Sequence, residues 1–253
     1  MKPGARIWVT GASSGLGEAV ARAAAAAGHP VVTSARSADK LERLAADVPE
    51  ITAQPVDTTD RAAVAAAVAA IEADGPIDVA VLNAGTHIPV DPAAFDADAF
   101  RTLAEVNLMG TVHCLEAVLP AMIARGSGRI AIVASVAGYV GLPTSAAYGM
   151  TKAGLINMAE SLKPELERHG VTVQVICPGF IDTPLTRKNK FPMPFLMKPE
   201  AAARALLDGL RSDRFEIVFP RRMAWAMTMM RHLPYKAVFA ITRKIASDAD
   251  KRD

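Results

Sequence analysis

The feature that most constrains this chain is a glycine-rich turn set between a short apolar run and an alanine-rich stretch. Ile7-Trp8-Val9 leads into Thr10-Gly11-Ala12-Ser13-Ser14-Gly15-Leu16-Gly17, and residues 15–27 then carry a helical composition. Gly11 permits a tight turn, Gly15 lets backbone approach a ligand, and Gly17 lets the helix sit close to the strand. A helix starting there offers unpaired N–H groups and a positive dipole end, which suits a pyrophosphate. The spacing is TGxxxGxG, not GxGxxG. A glycine cluster alone is weak evidence. Its place between a strand and a helix, at the start of a βαβ unit, gives it meaning.

The rest of the chain supplies that context. Short β-branched runs at 6–9, 31–34, 51–56, 79–82, 129–133, 171–176 and 216–219 alternate with helical stretches at 15–27, 38–46, 61–74, 97–125, 147–169 and 199–210. Alternation of this kind predicts an α/β fold, a single doubly wound Rossmann-type domain with a mostly parallel seven-stranded sheet. The runs show little apolar/polar alternation, as expected of strands covered on both faces. Residues 1–220 read as this domain, including a segment at about 183–200, and residues 221–253 read as a basic amphipathic C-terminal extension.

Composition removes other classes. With 51% hydrophobic and 21% charged residues and a net charge of +2, the chain is neither disordered nor a whole-chain nucleic-acid binder. Its two cysteines, Cys114 and Cys177, are far apart, which argues against a disulfide scaffold. They lack metal-ligand spacing, so no metal site is expected. The first apolar run is too short for a signal-peptide core. No uncharged apolar run of about 18 residues stands out, so no membrane-spanning helix is expected and a cytoplasmic location is the default.

The second strand ends Val31-Val32-Thr33-Ser34-Ala35-Arg36. An acid here would accept from a ribose 2′-OH and repel a 2′-phosphate. None is present, and Arg36 supplies a planar multi-donor cation. NADP(H) is the expected cofactor, with a solvated loop charge as the other reading of Arg36. Asp57, followed by Thr58, is placed either to meet the adenine amino group or to cap a helix.

Asn83-Ala84-Gly85 follows the fourth strand and Ser135 the fifth, and Tyr148-Gly149-Met150-Thr151-Lys152 opens a helix. The four-residue spacing puts Tyr148 and Lys152 on one helix face. An ammonium beside a phenol is expected to lower the phenol pKa, so that Tyr148 exchanges a proton with a substrate oxygen. Ser135 is positioned to hold that oxygen, although a serine after a strand is also a common cap.

These segments resemble the short-chain dehydrogenase/reductase family over about residues 6–210. The matches are TGASSGLG at 10–17, NAG at 83–85, Asn107, Ser135, YGMTK at 148–152, and Cys177-Pro178-Gly179 with Thr183. The resemblance implies catalytic roles for Asn107, Ser135, Tyr148 and Lys152. Asn107 would place a water in a proton relay to Lys152, which would also hold the nicotinamide ribose. Cofactor contacts are implied at Gly11, Ser13, Ser14, Gly15, Leu16, Gly17, Arg36, Asp57, Thr58, Asn83, Ala84, Gly85, Tyr148, Lys152, Pro178, Gly179, Ile181 and Thr183. Leu82 stands where many relatives have Asn. The family's habits also imply a homodimer or homotetramer through residues 97–125 and 147–169.

The segment after Pro178-Gly179 would form a substrate lid. It begins basic, with Arg187, Lys188 and Lys190, then turns apolar with Phe191, Met193, Phe195, Leu196 and Met197. Flexible apolar side chains suit a lipophilic aldehyde, ketone or alcohol. A 3-oxoacyl thioester reductase is the rival enzyme, and an NADP-binding sensor the rival of another class. His87 reads as a loop residue rather than a second proton donor. From Arg187 onward the chain carries 15 basic and 7 acidic residues, so its near-neutral total hides a basic C-terminal part. Residues 221–246 hold Met, Trp, Tyr and Phe among bases. Pocket cover, subunit contact, peripheral membrane contact and loose packing are the readings of that segment.

Overall fold

The computed structural model describes residues 1–188 and 193–250, with side chains over 1–187 and 193–246. Seven strands, β1 (Ile7–Thr10), β2 (Val31–Ser34), β3 (Ile51–Ala53), β4 (Val79–Leu82), β5 (Gly128–Val133), β6 (Val171–Pro178) and β7 (Glu216–Phe219), form one parallel sheet. Their order is β3-β2-β1-β4-β5-β6-β7, a doubly wound Rossmann-like arrangement. Chain direction reverses its lateral progress between β1 and β4. That switch point opens a crevice at the carboxyl ends of the strands.

Helices cover both faces. On one side, α3 (Arg61–Asp74), α5 (Gly110–Ala124) and α6 (Ala146–Glu167) pack Val64, Ile71, Val118, Met122, Leu155 and Ala159 into a core with Trp8, Leu82 and Ile132. On the other, α1 (Gly15–Ala26), α2 (Ala38–Asp47) and α7 (Pro199–Leu210) pack Leu16, Val20, Leu41, Leu206 and Leu210 against Ile7, Val9, Val81 and Ile176. Every residue of β1, β2 and β4 is buried, which explains their lack of alternation. Two polar chains tie strands across this interior. Trp8 Nε1 donates to Ser34 Oγ (2.9 Å), which donates to Gln54 O (2.8 Å). At the sheet's other end, buried Gln174 donates to Ser212 O and Arg214 O and accepts from Arg129.

Two elements differ from expectation. The third strand ends at Ala53 because Pro55 has no N–H for the ladder, although Gln54 N and Val56 N still donate to Thr33 O and Ala35 O. The long helix expected over 97–125 is three pieces: α4 (Ala97–Leu103), a π segment (Ala104–Met109) and α5. The run Ala97–Ala124 meets length and composition criteria for crossing a membrane, although Asp98, Arg101, Glu105 and Glu116 interrupt its apolar residues. Here it is interrupted by the π segment and packs Cys114, Leu115, Val118 and Met122 into the core.

The tail forms two helices, α8 (Arg221–His232) and α9 (Tyr235–Asp250), parted at Leu233-Pro234. Met223 and Met227 of α8 join the core beside β6.

Candidate active site

The turn after β1 has the expected backbone. Gly11 and Gly15 sit at φ +68° and +61°, the left-handed region that glycine enters without strain. Gly17 is needed for space rather than torsion: a Cβ there would lie 2.4 Å from Gly11 O. The turn is braced from β4. Thr10 Oγ1 accepts from Asn83 N (3.0 Å) and Ala84 N (3.1 Å), and Asn83 Nδ2 donates to Thr10 O (3.0 Å). Ser14, the N-cap of α1, makes no side-chain cap bond, so the first turn of the helix keeps donors facing the cleft.

One cleft runs from this turn to the head of α6. Gly11, Ser14, Gly15, Leu16, Asn83, Gly85, Ser135, Tyr148, Lys152, Pro178, Gly179, Ile181 and Thr183 all line it. Seven members of the expected set, Ser13, Gly17, Arg36, Asp57, Thr58, Ala84 and Asn107, stand apart from that lining. Ser13 lines a separate depression with Arg22, Lys40 and Arg43. Arg36 is exposed just past β2. Asp57 Oδ1 accepts from Thr59 N and Thr59 Oγ1, closing a local turn. Buried Thr58 lends its carbonyl to His113 Nδ1 (3.0 Å). Asp57 is not the cap of α3, because Asp60 holds that position and accepts from Ala63 N (2.9 Å).

At the chemical end, Tyr148 and Lys152 lie on one face of α6, with Lys152 Nζ 5.6 Å from the Tyr148 ring centre. The ammonium is buried and donates to Val133 O (2.8 Å). The Ser135 hydroxyl shares the cleft with Tyr148, donates to Pro178 O (3.4 Å) and caps the next turn, accepting from Ala137 N (3.1 Å). The cap reading of Ser135 is thus observed. The expected lowering of the Tyr148 pKa does not occur. Burial pushes it up to about 12, outweighing the opposite influence of Ser135. The same burial lowers Lys152 to about 8, because its charged form is the costly one.

Asn107, fully buried in the π segment, clamps two elements. Its Oδ1 accepts from Thr86 N (2.8 Å), and its Nδ2 donates to Thr86 O (3.0 Å) and Thr151 Oγ1 (3.1 Å). Its carbonyl accepts from Thr111 Oγ1 (3.0 Å). This geometry seats the 85–86 loop and α6, and hence Lys152. Sequence reading missed Thr10, Thr86, Thr151 and Val133. Thr10 and Thr151 lay inside the quoted motifs, whereas Val133 acts through its carbonyl and leaves no side-chain signal. His87 also gained a place: its ring meets Tyr148 edge-on at 4.9 Å.

The family profile described as short chain dehydrogenase matches residues 5–192. The chain belongs to the short-chain dehydrogenase family. It is 36% identical over 242 residues to an uncharacterized oxidoreductase of Myxococcus xanthus, covering 94% of this chain and 96% of that one. It is 32% identical to the ketoacyl reductase HetN of a Nostoc species, covering 85% and 78%. A crystal structure of a short-chain dehydrogenase from Streptomyces avermitilis superposes with a TM-score of 0.82 at 27% identity, covering 98% and 99%. This short-chain dehydrogenase is accordingly an oxidoreductase with a nicotinamide cofactor and a small-molecule substrate. The residues present fit that cofactor: the uncapped α1 terminus, the left-handed glycines and buried Lys152 share one cleft.

Proposed function

We propose that this short-chain dehydrogenase is an NADP(H)-dependent oxidoreductase acting between a carbonyl and an alcohol, on a lipophilic aldehyde, ketone or alcohol. The observation that carries the reading is the convergence of Ser135, Tyr148 and Lys152 at one end of a cleft whose other end is the phosphate-type turn. Gly11, Ser14, Gly15 and Leu16 would hold the pyrophosphate, Asn83 and Gly85 the middle of the cofactor, and Lys152, Pro178, Gly179, Ile181 and Thr183 the nicotinamide half. When bound, the nicotinamide supplies or accepts the hydride.

The protein's own groups handle the proton. In reduction, the substrate oxygen sits between the Ser135 and Tyr148 hydroxyls, and Tyr148 gives its proton to that oxygen as negative charge develops. A phenol pushed up to about 12 stays protonated and ready to donate at neutral pH. The Lys152 ammonium stabilises the phenolate left behind. In oxidation Tyr148 must first lose its proton. Burial opposes this step, and Lys152 offsets part of that cost. Asn107 is a positioning residue, since its side chain bonds Thr86 and Thr151 rather than the reacting atoms.

Arg36 supports NADP(H). Among the described residues it forms no ion pair, and no acid stands at Ser34 or Ala35. The substrate reading rests on the apolar side chains of the segment after Thr183, of which Pro184 and Leu185 line the cleft. Met193 and Met197 are half-buried, and Phe195 and Leu196 are exposed. Lys188, Asn189, Lys190, Phe191 and Pro192 of the expected lid lie outside the residues whose side chains are described. Arg187 is paired with Asp182 (2.9 Å). The ketoacyl reductase relative favours a second reading, reduction of a 3-oxoacyl thioester. Met109 and Met150, exposed on the π segment and α6, support a homo-oligomer through those helices.

The deciding experiment follows NADPH and NADH oxidation with long-chain aldehydes, ketones and oxoacyl thioesters. Turnover of the free carbonyls supports the first reading, and turnover of thioesters alone selects the second. Tight NADPH binding with no turnover would instead support a sensor.

A further inference from the structure

α8 is apolar on two opposite faces. Met223, Met227 and Met230, at helical spacing, pack inward on the core. Trp225, Met229 and Leu233 form a second stripe about half a turn away, and all three are exposed, Trp225 to 69%. Arg221 and Arg222 precede Trp225 by four and three residues, which sets them over the same side. α9 repeats the pattern. Val238 is buried, while Tyr235 and Phe239, one turn apart and stacked at 5.7 Å, are 78% and 56% exposed. Lys236 adjoins them, and Arg243 lies one turn on, its Nε donating to Phe239 O (3.0 Å). Between Phe219 and Ser247 there are six bases and no acid. Among the described residues, Arg221, Arg222, Arg231 and Lys236 form no ion pair.

We infer that the outward faces of α8 and α9 dock on an anionic lipid bilayer. Aromatic and Met side chains ringed by unpaired cations match an interface with apolar depth and negative headgroups. A second copy of the chain is a poor occupant. A two-fold contact of this face with itself would press the cations Arg221, Arg222, Lys236 and Arg243 against their own copies. Cover for this chain's own pocket is a poor occupant too, because the inward face already borders the site: a Cβ at Gly179 would lie 3.0 Å from Met223 Cγ. The bilayer would therefore meet the protein one helix diameter from the nicotinamide-side loop. The surface does not depend on the choice of cofactor or substrate, and its test reads binding rather than turnover.

The test uses the full-length protein with vesicles of phosphatidylcholine alone or with about one-third phosphatidylserine, by sedimentation and tryptophan emission. The chain has two tryptophans, and Trp8 is fully buried and bonded to Ser34, so emission changes report Trp225. Expected are co-sedimentation and a blue shift with the anionic vesicles, both weakened by salt. Each base near such a surface contributes about fivefold to partitioning, so the triple variant Arg221→Gln, Arg222→Gln, Lys236→Gln should lose about 100-fold. Trp225→Ala should weaken partitioning and abolish the shift, with turnover of a water-soluble carbonyl unchanged. Absence of co-sedimentation, or equal binding to neutral and anionic vesicles, overturns the proposal. A subunit mass that falls in Trp225→Ala also overturns it, by assigning the face to a second copy.

Discussion

At one end of the cleft the chain works by leaving side chains out. Gly11, Gly15 and Gly17 shape a surface of backbone N–H groups, and the nearest intrusion a Cβ would make is 2.4 Å from a carbonyl. At the other end it works by burying side chains that carry charge. Tyr148 is pushed up to about 12 and Lys152 down to about 8 by the same loss of water. The first end is governed by shape and is indifferent to pH. The second is governed by protonation and tolerates some change of shape. A ligand spanning both is held by geometry at one end and acted on by charge at the other.

The comparison can be broken most severely at Tyr148. Tyr148→Phe keeps the ring and removes the proton, so turnover should fall by about 10²–10⁴ while NADPH binding, followed by fluorescence titration, stays unchanged. A retained rate would remove the proton-donor role. Gly17→Ala attacks the other end. Its Cβ meets Gly11 O and the Asn83 amide, so the fold should lose about 1–3 kcal/mol in denaturant titrations. NADPH and NADH should weaken together, since the turn meets what they share. A loss confined to one of them would contradict the shape argument.

The pH contrast follows next. Lys152 is an ammonium below about pH 8 and neutral above it. Reduction should therefore slow as pH rises through about 8, by roughly tenfold at pH 9. Lys152→Arg keeps its charge throughout, so its slower rate should lack that fall. Stability runs the other way. Between about pH 8 and the ordinary lysine value, the unfolded chain binds the proton and the folded one does not, so stability rises with pH in that window. Lys152→Met should abolish that rise in thermal unfolding scans. The smallest effect belongs to Arg36, at the exposed rim. Arg36→Ser should shift the NADPH-to-NADH preference by about tenfold in paired kcat/KM measurements, and no shift would place Arg36 outside the site.

The same contrast explains what could be read before any coordinates. Fully buried parallel strands and glycine turns leave local marks, so β1, β2, β4 and the 10–17 turn were legible with almost no error. The alignment of Ser135, Tyr148 and Lys152 was legible because chain order and helical spacing carry it. The energetic sign at Tyr148 was not, because a pKa depends on how much water packing removes. Asp57 and Asp60 are chemically alike and three residues apart, so only the backbone decides which one caps α3. The π segment left no mark, because Ala104-Glu105-Val106-Asn107-Leu108-Met109 reads as ordinary helix.

That π segment has a consequence for how the chain tolerates length changes. A π turn holds one residue more than the α-turn it replaces. Deleting any residue between Ala104 and Met109 would restore a uniform helix. It would leave α4 and α5 nearly in phase, because the wide turn already absorbs that residue. α5 would keep Val118 and Met122 in the core, but the wide backbone that carries Asn107 to Thr86 and Thr151 would be gone. The extra residue thus serves the site rather than the core, and shortening the segment should cost the Asn107 clamp before it costs the fold.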